Sequence, residues 1–106
     1  MEYWLAWFHE TNRGADVKAI ARHAEALGYT GVALSDHVAL PKMQQSRHPM
    51  LGIPYDPAIP NIEPMTTAAT MAAVTETLRF MTYAYVMGMR DPFTVAKQSA
   101  ALADLS

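Results

Sequence analysis

Three times along this chain a short apolar run gives way to a segment with helical spacing, and that alternation limits the fold more than any other feature. Tyr3-Trp4-Leu5-Ala6-Trp7-Phe8 is aromatic-rich and predicts a first strand. Val17, Ile20, Ala21, Ala24 and Leu27 then recur at steps of three and four, which predicts a helix with one apolar stripe. Lys18, Arg22 and Glu25 fall on its other side. Asp16 is suited to cap the start of this helix, and Gly28 to supply a left-handed cap at its end. Gly31 to Ser35 is short, apolar and bounded by turn signals, as a strand buried on both faces should be. Pro64 fits the first turn of a second helix running to about Thr77, with small residues that allow close packing on a sheet. Arg79 to Val86 predicts a third strand and Gly88-Met89-Arg90 a short loop. Asp91-Pro92 opens a third helix whose apolar set includes Phe93, Val95, Ala96, Ala100, Leu102, Ala103 and Leu105. Strand followed by helix, three times over, implies an α/β fold with a parallel sheet and helices outside it.

One segment breaks the pattern. From about Val38 to Glu63 the chain carries Pro41, Pro49, Pro54, Pro57 and Pro60, a density that excludes a helix or a central strand. Loops this long in compact domains are often binding loops or lids. An interdomain linker is the other reading, but neither flank is large enough to be a domain alone.

Length and composition narrow the classes further. A chain of 106 residues holds one small domain. With 51% hydrophobic and 17% charged residues it is globular. A net charge of -2 offers no basic stripe for nucleic acid or an anionic membrane. The absence of cysteine excludes disulfides, thiol nucleophiles and cysteine-based metal sites. Eight methionines read as gap-filling core residues. The N-terminus lacks the basic and apolar regions of a signal peptide, and the run Phe80 to Met89 is about half of what a membrane span needs. A soluble cytoplasmic protein is therefore expected. Its expected partner is a small-molecule substrate, with neither nucleic acid nor membrane. Three strands cannot close a barrel and leave two open edges. That implies either a piece of a larger α/β protein or a homo-oligomer that covers its edges.

In a parallel sheet, ligands bind at the carboxyl ends of the strands. Ser35-Asp36-His37 ends the second strand, so it is the first place to look for chemistry. Histidine gives or takes a proton near neutral pH, and a neighbouring carboxylate tunes it. The alternative is a polar strand end that caps the next loop. His9 and Glu10 follow the first strand at the same face, though a generic loop reads as well. His48, in the long loop, reads as solvated. Arg90 reads as a partner for its own loop rather than for a cofactor. No G-x-G-x-x-G and no P-loop is present, which disfavours a Rossmann enzyme or an NTPase.

Several local patterns line up with one family. They are Ala24-Glu25-Ala26-Leu27-Gly28-Tyr29 leading into a strand that ends Ser35-Asp36-His37, the Pro-rich loop, and Glu63-Pro64-Met65-Thr66-Thr67-Ala68-Ala69. Thr75-Glu76-Thr77-Leu78-Arg79-Phe80 follows, then Arg90-Asp91-Pro92-Phe93-Thr94-Val95-Ala96-Lys97-Gln98 and Leu102-Ala103-Asp104-Leu105-Ser106. In this order the chain resembles the N-terminal part of the luciferase-like monooxygenase family, which includes oxidoreductases dependent on the deazaflavin coenzyme F420. The resemblance implies a TIM (β/α)8 barrel of which residues 1–106 form about the first three units, a single partial domain. It implies a reduced flavin or deazaflavin acting by hydride transfer or monooxygenation on a small organic substrate. Ser35-Asp36-His37 favours F420, with FMN the alternative. By the resemblance, Asp36 helps bind the cofactor and His37 faces the ring and substrate. A bulge with a non-proline cis peptide against the ring is implied near Tyr83, Ala84 and Tyr85, although Tyr83 stands where relatives more often have a small residue. The other reading of Tyr83-Ala84-Tyr85 is an ordinary strand with aromatic packing. Two further functions compete. His9, Glu10, Asp36 and His37 could gather a metal in a barrel-type hydrolase, but the usual His-x-His pair is missing. A truncated, non-catalytic chain is the third possibility.

Overall fold

A computed structural model describes residues 1–7, 16–39 and 61–106. Strand β1 (Trp4–Trp7), helix α1 (Val17–Ala26), strand β2 (Gly31–Leu34), helix α2 (Pro64–Ala72), strand β3 (Arg79–Thr82) and helix α3 (Pro92–Leu105) follow in chain order. The strands form one parallel sheet in the order β1-β2-β3. In register, Trp4, Gly31 and Arg79 align at one end, and Trp7, Leu34 and Thr82 at the other. The three carboxyl ends therefore open on the same side.

The helix starts follow from their caps. Asp16 Oδ1 accepts hydrogen bonds from the backbone N–H groups of Lys18 (2.9 Å) and Ala19 (3.4 Å). Glu63 Oε2 accepts from Thr66 N–H at 2.8 Å, and Pro64 fills the first helical turn, where no N–H is needed. Asp91 Oδ1 accepts from Thr94 N–H at 2.7 Å, again with proline next. At the end of α1, Gly28 turns the chain with φ of +79°, a conformation open to glycine but strained for other residues.

The core lies between the sheet and helices α1 and α2. Trp7, Ala21, Ala24, Val32, Leu34, Ala68, Met71 and Leu78 form one buried cluster. All four residues of β2 are buried, as expected for the central strand. Gly31 is the one residue type that fits there, because a Cβ would run into the Arg79 carbonyl and the Trp4 ring.

Three expectations need correction. Leu27 does not continue the apolar stripe of α1; it is 75% exposed, because the helix ends at Ala26 and Gly28 turns the chain away. Helix α2 ends at Ala72 rather than near Thr77. Strand β3 ends at Thr82 rather than Val86, and the chain then bends into a 3-10 turn at Met87–Met89. Helix α3 runs where expected, with none of its apolar residues buried; Val95 and Leu102 are half-buried, and Phe93 and Leu105 are more than 80% exposed. Residues 40–60 of the Pro-rich loop, with His48, lie outside the described residues, as do His9 and Glu10. Among the described residues no helix is long and apolar enough to cross a membrane.

Candidate active site

Parallel pairing carries the chain leaving β2 and the chain leaving β3 out side by side. The join is direct, since Leu34 C=O accepts from Tyr83 N–H at 3.0 Å. Next come Asp36 on one side and Tyr83, Ala84 and Tyr85 on the other. The Tyr83–Ala84 peptide is cis, within the segment where the resemblance implied such a bond.

Asp36 turns inward. Its side chain is only 1% exposed. Arg90 grips it with both arms of the guanidinium, Nη1 donating to Oδ2 at 2.6 Å and Nη2 to Oδ1 at 2.8 Å. Val86 N–H also donates to Oδ2, at 2.8 Å. Burial by itself would push the Asp36 carboxyl up. The Arg90 and Val86 hydrogen bonds, with the Arg90 charge, outweigh it and hold the group below its ordinary value. A planar fork against a carboxylate is the strongest form of such a pair.

Arg90 does more than neutralise. Its Nη1 also donates to Val86 C=O at 3.2 Å. The guanidinium carbon stands 4.1 Å from the centre of the Tyr85 ring, a cation–π distance. Its Nη2 lies 3.7 Å from Glu63 Oε1, while the other Glu63 oxygen caps α2. The Tyr85 hydroxyl is buried and influenced by Glu63, yet no well-formed hydrogen bond joins them. Burial pushes this phenol up, the Arg90 charge opposes it, and the Glu63 and Asp36 charges reinforce it.

His37 follows Asp36 directly and is half-buried. Structure therefore groups His37, Asp36 and the Tyr83–Tyr85 stretch at one end of the sheet. Arg90 meets its own loop at Val86, as its sequence position suggested, but its pairing with Asp36 is what sequence reasoning missed. One signal was available: an aspartate at the end of a buried strand needs a cation or several N–H donors to stay charged. Among the described residues no group of three or more His, Asp or Glu side chains is placed to hold a metal.

A flat ring fits this end of the sheet in one respect. Ala84 is exposed and small, so the backbone beside it is open to a planar partner, with the half-buried Tyr83 and Tyr85 on either side. A cavity of about 480 Å³ lies elsewhere. It runs along the open edge of β3, is lined by Phe80, Met81 and Leu102 among others, and includes none of Asp36, His37 and Arg90.

The far end of the sheet holds another carboxylate that the helical pattern placed on the solvent side. Glu25 Oε1 accepts from the backbone N–H groups of Glu76 (2.8 Å), Thr77 (2.6 Å) and Leu78 (3.1 Å), and from the Thr77 hydroxyl (3.0 Å). It ties α1 to the chain entering β3.

Known proteins match along the same length. A sequence model described as luciferase-like monooxygenase covers residues 4–106. An uncharacterized protein of Mycobacterium tuberculosis is 32% identical over 109 residues, covering 100% of this chain and 38% of that protein. An uncharacterized protein of Mycobacterium bovis matches to the same extent. Another from Mycobacterium tuberculosis is 34% identical over 94 residues, 81% of this chain and 31% of its own length. The chain thus spans less than half the length of these relatives. With its three parallel strand-helix units in place, and with a match over nearly all of its residues, the chain belongs to the luciferase-like monooxygenase family.

Proposed function

We propose that this chain contributes the first strand ends of an oxidoreductase site that takes a reduced flavin or deazaflavin, F420 in preference to FMN, and acts on a small organic substrate. The carrying observation is His37 directly after Asp36, at the end of a buried parallel strand, with Asp36 held by Arg90. Family membership supports the cofactor class, since the family generally uses flavins or F420. When bound, F420 supplies a hydride, whereas reduced FMN activates oxygen for insertion.

The chain's own residues would do the rest. His37 would hold or deliver a proton at an imidazole nitrogen, next to the reacting atoms. Tyr83, Ala84 and Tyr85 would form the floor under the ring. The Asp36 side chain is too enclosed to touch a ring and would act through the neighbours it holds. A small-molecule substrate, a cytoplasmic setting and a homo-oligomer complete the proposal.

Titration of the full-length protein with F420 and with FMN tests the cofactor. Tight binding of F420 is expected; tight binding of FMN alone would overturn the preference. His37→Asn is expected to lower kcat by about 100- to 10,000-fold while leaving cofactor affinity within a small factor. An unchanged kcat would remove His37 from the chemistry.

A further inference from the structure

We infer that Arg90 is a positioning residue for this site, fixing the chain that leaves β3 against the end of β2 and thereby aligning Tyr85 and its neighbours with His37. The inference rests on the flavin or deazaflavin reading given above. Arg90 meets the Tyr85-Val86 stretch in three ways. Its Nη1 donates to Val86 C=O at 3.2 Å. Its guanidinium lies over the Tyr85 ring at 4.1 Å. Through Asp36, which it holds by both oxygens, it also governs the acceptor for Val86 N–H. The Val86 C=O is shared with Met89 N–H at 3.3 Å, whereas the acceptor for Val86 N–H and the face of the Tyr85 ring are both held by this one side chain.

That side chain is 15% exposed and Asp36 is 1% exposed, so neither is placed as a broad surface for a ligand. Their effect on a bound ring travels through the residues they hold. Only arginine supplies the fork and the flat stacking face together; lysine restores the charge and neither geometry. A charge-only role and a positioning role are therefore separable.

The test uses full-length protein in three forms: wild type, Arg90→Lys and Arg90→Met. Cofactor Kd, substrate KM and kcat at saturation are measured per folded molecule, with the folded fraction taken from circular dichroism. Leu27→Gln, at a residue 75% exposed and distant from the site, is the control. Positioning predicts that Arg90→Lys folds, weakens cofactor binding by about tenfold and lowers kcat by about 10- to 100-fold, since small misplacements near reacting groups have effects of this size. Arg90→Met should be worse on every count. Where Arg90→Met does not fold, Arg90→Lys carries the measurement alone. A lysine variant with wild-type Kd, KM and kcat per folded molecule would overturn the inference and leave the functional reading intact. A wild-type protein that binds neither F420 nor FMN would overturn that reading, and the inference with it.

Discussion

The two ends of β3 are both held by a carboxylate from a neighbouring element, and they are held differently. At its entrance, Glu25 accepts from three backbone N–H groups and one hydroxyl through a single oxygen. At its exit, Asp36 accepts one backbone N–H and pairs with a guanidinium through both oxygens. Neutral donors converging on a half-buried carboxylate leave water able to replace one of them. A charge pair with one partner enclosed does not, because removing the cation strands a buried anion. The entrance is an ordinary fastening of helix to sheet. The exit is a rigid mount, and the residues proposed to meet substrate stand on it.

Breaking the mount should have the largest effect. Arg90→Met leaves the enclosed Asp36 carboxylate unpaired and should destabilise the protein by about 3–5 kcal/mol, read from urea unfolding. A loss below about 1 kcal/mol would show that the two ends are equally replaceable. Met71→Ala serves as a yardstick in the core, where Met71 is fully buried, and should cost about 2–5 kcal/mol. Glu25→Ala should lower the urea midpoint by less than Arg90→Met does, with cofactor affinity unchanged; weakened cofactor binding would show that the entrance also shapes the site.

Acid titration sharpens the contrast. Both carboxyls lie below their ordinary values in the folded protein, 3.8 for Asp36 and 4.5 for Glu25. For Glu25, the Thr77 N–H leads and the other donors outweigh a burial effect in the opposite direction. A group depressed on folding stabilises fully above its unfolded value, and that stability is lost as pH falls through the folded one. Each contribution is therefore fully present above its group's ordinary value, 4.5 for Glu25 and 3.8 for Asp36, and is lost as pH falls below it. Asp36→Asn should remove the Asp36 share of that dependence and leave the Glu25 share in place. A profile identical to wild type would show that Asp36 does not contribute. The smallest expected effect is at Leu27, where Leu27→Gln should change stability by no more than about 0.5 kcal/mol, since the residue lies past the end of α1.

What sequence by itself determined was the order of elements and where the helices start. Strand and helix spacing are local periodicities, and the caps at Asp16, Pro64, Gly28 and Asp91-Pro92 act over three or four residues. The three units of a (β/α)8 barrel and the prominence of Ser35-Asp36-His37 were legible for the same reason. Element ends were less so. Leu27 keeps helical spacing in the sequence but sits where the chain turns, and β3 stops four residues early because the chain after Thr82 bends toward Asp36.

Only the tertiary structure decided which charges meet. Asp36 and Arg90 are 54 positions apart, and Glu25 lies 51 to 53 positions from the amides it binds. No local pattern encodes such pairs, because each depends on the parallel register that lays β3 beside β2. That register turned Glu25 from a solvated helical charge into a staple. It also turned Arg90, read as a loop residue, into the cation that lets Asp36 stay ionised where water hardly reaches.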